Sequence, residues 1–124
     1  MAKNPGTKFE DWIVESLLAF FPDARRTKAS GSVWKSGDVQ GGPYEIEAKD
    51  RATDSVSIAK AVLQRTEKAA KLSGRMPIVA TRCNIGTYVT MRWSDFESLL
   101  RVLKDTAQQL EDKQNRKNDY DEYC

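Results

Sequence analysis

Hydrophobic and polar positions alternate along this chain with two different periods. Near the start, Phe9, Ile13, Leu17 and Phe20 recur at the three-to-four-residue spacing of a helix. Asn4 and Pro5 suit a helix start and Pro22 a stop, so the spacing predicts a helix over 5–21. Short strands follow at 25–29, 37–40 and 44–49, the last two joined as a hairpin by Gly41, Gly42 and Pro43. The helical period returns over 56–73, with Asp54 or Ser55 as cap and Gly74 as the residue beyond the end. Two runs rich in Ile, Val, Thr and Tyr, 77–82 and 87–92, predict two further strands around Asn84 and Gly86. Ser94 and Glu97 form a capping box, after which Phe96, Leu99, Leu100, Leu103, Ala107 and Leu110 line one face of a third helix. From Gln114 onward the chain is polar and is expected to fray.

The order is therefore α-β-β-β-α-β-β-α. That order predicts an α/β protein in which helices cover a mixed central sheet. At 124 residues the chain has one domain's length, expected to span 1–113, with 114–124 as a tail. The 40% hydrophobic and 31% charged composition excludes a disordered or membrane-embedded chain. The apolar run from Trp12 to Phe21 is broken by Glu15 and lacks a small-residue cleavage site, so it does not read as a signal peptide. Two cysteines, Cys83 and Cys124, make no disulfide framework and fit a reducing cytoplasm, the host cell's if the source is viral.

Charge and residue type narrow the chemistry further. The net charge is only +2, but Arg25, Arg26, Lys28 and Lys35 form a basic run without an acid, as an anionic partner such as DNA would require. Histidine is absent. That excludes a Ser-His-Asp triad, a Cys-His dyad and a His-ligated zinc. Catalysis, if present, must use carboxylates, lysines and a metal held by oxygen atoms.

The strand at 44–49 offers that inventory. Side chains alternate along a strand, so Ile46 and Ala48 face one way and Glu45, Glu47 and Lys49 the other. Asp38 lies across the hairpin. Asp38 and Glu47 are candidate Mg²⁺ ligands, with the Ala48 carbonyl as a further one. Lys49 is the candidate cation beside the nucleophile in phosphodiester hydrolysis. Glu10 falls among Ile13, Val14, Leu17 and Phe21 on the apolar arc of the first helix, where a carboxylate needs a partner.

Gly37 and Asp38, eight intervening residues, then Glu47, Ala48 and Lys49 resemble the PD-(D/E)xK nuclease motif, with glycine in place of the usual proline. Gly6, Phe9 and Glu10 on the opening helix, and the loop of Ser30, Gly31 and Ser32, resemble archaeal-type Holliday-junction resolvases. Gln64 resembles a glutamine that many relatives place in the helix after the motif. The resemblance spans residue 6 to about 103. It implies a restriction-endonuclease-like core and Mg²⁺ as cofactor, with Mn²⁺ able to substitute. It further implies Glu10 as a third acidic ligand, Ser30 as an auxiliary active-site contact and a homodimer making paired nicks in a four-way DNA junction.

Each residue also admits a structural reading. Thr7 and Glu10 can form a capping box; Asp38 can shape a turn; Glu47 and Lys49 can be a charge pair; Glu45 reads as an exposed or edge residue. Lys60, Gln64 and Lys68 share one side of the second helix, either as a DNA-facing stripe or as a solvated face. Two rival functions stand beside the resolvase: another nuclease of the same motif, of nicking, repair or restriction type, acting on duplex, flap or mismatched DNA, and a DNA-binding module without catalysis.

Overall fold

A computed structural model describes residues 5–27 and 38–123. The chain is an α/β protein with a five-stranded mixed sheet and three helices: α1 (Pro5–Leu18), β1 (Arg25–Arg26), β2 (Val39–Gly41), β3 (Tyr44–Asp50), α2 (Lys60–Ser73), β4 (Met76–Cys83), β5 (Gly86–Thr90) and α3 (Trp93–Tyr123). The element order is the one the hydrophobic pattern predicts. Two compact units divide at Met91 and Arg92.

In the first unit the strands lie in the order β1-β2-β3-β4-β5. All neighbours are antiparallel except β3 and β4, which run parallel and are joined through α2. The even positions of β3 face α1: Ile46 packs with Phe9, Ile13, Val39 and Ala80, and Ala48 borders the same cluster. The odd positions face α2, where Glu47 meets Arg65 and Glu45 meets Ser73. Val62, Thr66, Ala69 and Ala70 form the buried side of α2. The two helices thus cover opposite faces, and the strict alternation of β3 sorts an apolar core from a polar layer.

The hairpin turn requires its glycine. Gly42 has a φ of 52°, and a Cβ there would collide with the Phe21 ring. Phe21 itself lies outside α1. Its amide and that of Phe20 both bond to the Leu17 carbonyl, which closes the helix at Leu18, and the ring then turns onto Tyr44 at 5.8 Å. Gly74, at φ 68°, ends α2 as the sequence predicts, with the Arg75 amide on the Ala70 carbonyl at 2.8 Å.

Further boundaries differ from expectation. Helix α2 begins at Lys60, with Ala59 as a cap that offers no side chain, instead of near Val56. Asp54 is engaged elsewhere: its Oδ1 accepts from the Asn84 side chain at 3.0 Å, and the Asn84 amide donates to the Thr53 carbonyl. These ties to the β4–β5 turn keep 51–59 out of the helix. Strand β1 covers only two of the five residues expected; Lys28 and Ala29 lie outside the described residues.

Helix α3, in the second unit, starts on the Arg92 carbonyl, which accepts from Asp95 and Phe96, so the expected cap Ser94 sits two residues inside. It runs on to Tyr123 instead of fraying at Gln114. Side chains four apart carry it there, Gln108 to Asp112 at 3.0 Å and Gln114 to Asn118 at 3.3 Å. Among the described residues no helix is long and apolar enough to cross a membrane.

Candidate active site at the carboxyl end of the parallel strands

The register of the β2–β3 hairpin fixes the first pair. Val39 lies opposite Ile46, so Asp38, one residue outside β2, lies level with Glu47. Asp38 Oδ2 accepts a hydrogen bond of 2.8 Å from the Ala48 amide. The Asp38 carbonyl accepts one of 3.0 Å from the Thr27 amide, extending the β1–β2 ladder by one step. Backbone on both sides therefore anchors Asp38 although no strand contains it. Because the N–H and C=O of one strand residue point to the same side, the Ala48 carbonyl faces the Asp38 side as well.

Glu47 is 5% exposed and holds two cations through one oxygen. Lys49 Nζ stands 3.5 Å from its Oε1, and the Arg65 guanidinium is hydrogen-bonded to the same atom. Glu10, on α1, pairs with Arg26 and feels the charges of Asp38 and Glu47. Arg26 Nη1 lies 3.8 Å from Glu10 Oε2, and Arg26 Nε lies 3.4 Å from Asp11. The group sits toward the carboxyl end of β3 and β4, where open α/β sheets receive their ligands.

The electrostatics of the three acids are coupled. Burial raises the Asp38 pKa above its ordinary value; the Ala48 hydrogen bond opposes this, and the negative charge of Glu47 adds to it. Glu10 is raised first by burial and then by Asp38, against the pull of Arg26. At both groups burial is the largest cause, and the neighbouring cations offset it only in part.

No protein-family model matches this chain, and no curated protein matches it either.

The donors gathered here are oxygens alone, which fits a hard divalent cation. Cys83 is buried on β4 with its Sγ 3.5 Å from the Gly86 carbonyl. As arranged, the described residues contain no group of three or more Asp, Glu or Cys side chains positioned around one ion. Glu10, Asp38 and Glu47 match the cation in donor type. Closing on an ion would require side-chain rotation, with Arg65 already on Glu47.

The remaining sequence-derived candidates divide by location. Ser30, Lys28 and Lys35 lie outside the described residues. Arg25 is bonded to Gln40 at 2.8 Å and Arg26 to the acids of α1, so both basic side chains also serve the fold. Lys60, Gln64 and Lys68 are exposed on α2.

Two polar residues of this layer were not anticipated. Glu45, read as an exposed or edge residue, is 0% exposed, with Ser73 Oγ 3.3 Å from its Oε2. It shares the face of Glu47, and α2 covers that face. Arg65 lies outside the stripe of Lys60, Gln64 and Lys68 that the sequence singles out on this helix. The signal was present: Val62, Arg65, Thr66 and Ala69 recur at helical spacing, which puts an arginine at the margin of the buried side.

Proposed function

We propose that this chain is a metal-dependent DNA endonuclease of the PD-(D/E)xK kind, with a restriction-endonuclease-like core, acting as a Holliday-junction resolvase in the cytoplasm (the host's, if viral). The observation that carries the reading is the Asp38–Ala48 hydrogen bond, which holds Asp38 level with Glu47 while Glu10 approaches from another element. Three carboxylates from three segments, with a lysine two residues beyond one of them, are what phosphodiester hydrolysis asks of a chain without histidine.

Mg²⁺, or Mn²⁺ in its place, supplies charge neutralisation at the phosphate and acidification of water. Asp38, Glu47 and Glu10, with the Ala48 carbonyl, are the groups that would hold it. Lys49, kept beside Glu47, positions the attacking water and offsets negative charge developing at phosphorus. Arg65 holds Glu47 in place from α2. Arg25, Arg26, Lys60, Gln64 and Lys68 supply cationic and polar surface for the DNA backbone, joined by Lys28, Lys35 and Ser30. A four-way junction has two-fold symmetry, so the enzyme acts as a homodimer.

One observation favours a second reading. Arg65 already engages the Glu47 oxygen that Lys49 also faces, as in a charge network of a DNA-binding module without catalysis. Cleavage of a synthetic four-way junction, beside linear duplex of matching sequence, separates the readings when run with Mg²⁺, with EDTA and with Asp38→Asn. Paired symmetric nicks in the junction alone, lost under EDTA and in the variant, are the expected result. Equal cutting of both substrates would keep the nuclease and discard junction selectivity, and tight binding without cutting would leave the module.

A further inference from the structure

Helix α3 carries more apolar surface than one helix can leave in water without purpose. Trp93 is 68% exposed, Phe96 40%, Leu100 45%, Leu103 65% and Leu110 64%. Together with Ala107 these residues alternate three and four apart, the seam of a two-stranded coiled coil with Trp93, Leu100 and Ala107 in one row and Phe96, Leu103 and Leu110 in the other. Exposed apolar stripes of this continuity mark sites of association.

The sequence of the seam specifies its occupant. When a second α3 is laid antiparallel so that Leu100 meets Leu103 of the copy, every further layer matches as well. Phe96 falls against Ala107 and Trp93 against Leu110, a large ring against a smaller side chain in each case. Two-fold symmetry repeats each layer, and the packed stretch of residues 93–110 is about 27 Å long at 1.5 Å per residue. Glu97 and Lys104, which flank the seam seven residues apart, then face each other across the pair, twice. A parallel pairing would stack every residue on its own copy, Phe96 on Phe96 and Ala107 on Ala107, with no such match of volumes. Shifting the antiparallel register by one heptad toward the carboxyl end sets Glu97 near Glu111 of the copy, which repels.

We propose that α3 is the homodimer interface of this protein: an antiparallel, self-complementary helix pair with Leu100 against Leu103 at its centre and reciprocal Glu97–Lys104 pairs at its margins. The seam depends on α3 alone, and sedimentation reads no cleavage, so this interface and the nuclease reading can fail separately.

Analytical ultracentrifugation of the full chain tests it. The wild type should be dimeric, and Leu103→Glu monomeric with unchanged helical circular dichroism. Glu97→Lys alone and Lys104→Glu alone should each weaken self-association, by about tenfold at modest salt, because like charges then face each other at both margins. An equimolar mixture of those two variants should regain wild-type affinity, since each supplies the charge the other lacks. Three results would overturn the proposal: a wild type that stays monomeric, so that the stripe is covered within its own chain or by another protein; a dimer indifferent to Leu103→Glu; or two charge variants whose mixture associates no better than either alone.

Discussion

Lys49 and Arg65 meet on a single atom, Oε1 of Glu47, although one side chain comes from a strand and the other from a helix. A carboxylate this deeply buried calls for such company. Arg65→Ala should therefore lower stability by about 1–2 kcal/mol, less than a fully buried pair because Arg65 is itself 44% exposed. Lys49→Ala should cost less, since its ammonium stands further from the oxygen. Urea unfolding of both variants and of each combined with Glu47→Gln checks this. A cost for Arg65→Ala that persists undiminished in the Glu47→Gln background would show that the arginine acts through packing instead.

Asp38 is expected to separate stability from function. Asparagine retains an oxygen to accept the Ala48 amide and removes a charge that burial and Glu47 both disfavour. Asp38→Asn should melt at the wild-type temperature or slightly above it without metal, and should lose both the shift in melting temperature that Mg²⁺ gives the wild type and all cleavage. A variant that melts well below the wild type without metal would contradict this account.

The pH response has a defined sign. Glu10 and Asp38 bind protons more tightly in the folded chain than at their ordinary values of 4.5 and 3.8. Between those values and the raised native ones the folded state carries more protons, so stability falls as pH rises through that window and is fully restored below it. Asp50 opposes this trend: its hydrogen bonds to Arg82 lower its pKa, so its contribution is present above 3.8 and lost as pH falls through the native value. Chemical denaturation across mildly acidic pH should show the first trend in the wild type and a flattened profile in Glu10→Gln with Asp38→Asn. Binding of Mg²⁺ should weaken as pH falls through the same window, because the acids must release protons to receive it.

Thr81 offers a test of the polar layer alone. It is 1% exposed on β4, level with Lys49, and its hydroxyl has no hydrogen-bond partner among the described residues. Valine has nearly the same shape without the orphaned group, so Thr81→Val should raise stability by about 1 kcal/mol. A loss of stability in thermal melts would mean that a solvent molecule satisfies the hydroxyl.

Much of this arrangement is legible in the residues themselves. The alternation of β3 places Ile46 and Ala48 in the core and Glu47 and Lys49 in the polar layer, and the glycines at 42 and 74 mark the turn and the helix end. What pattern alone leaves out is tertiary. The burial of Glu45 depends on which face α2 covers, a choice made by the crossover and not by the strand. The late start of α2 depends on Asn84, thirty residues after Asp54, capturing the side chain that would have capped it. The continuation of α3 past Gln114 shows the converse, polar composition overruled by contacts four residues apart.

Strand β3 lies in the middle of the sheet, bonded to β2 through a two-residue turn and to β4 only across the whole of α2. The hairpin can close early and locally, whereas the β3–β4 ladder must wait for a long loop to be gathered in. The hairpin alone sets Asp38 beside Glu47 and Lys49, whereas Arg65 joins Glu47 only once the crossover through α2 has folded. In hydrogen exchange the β3 amides should accordingly open only with global unfolding, which ties any activity of these residues to the completeness of the fold.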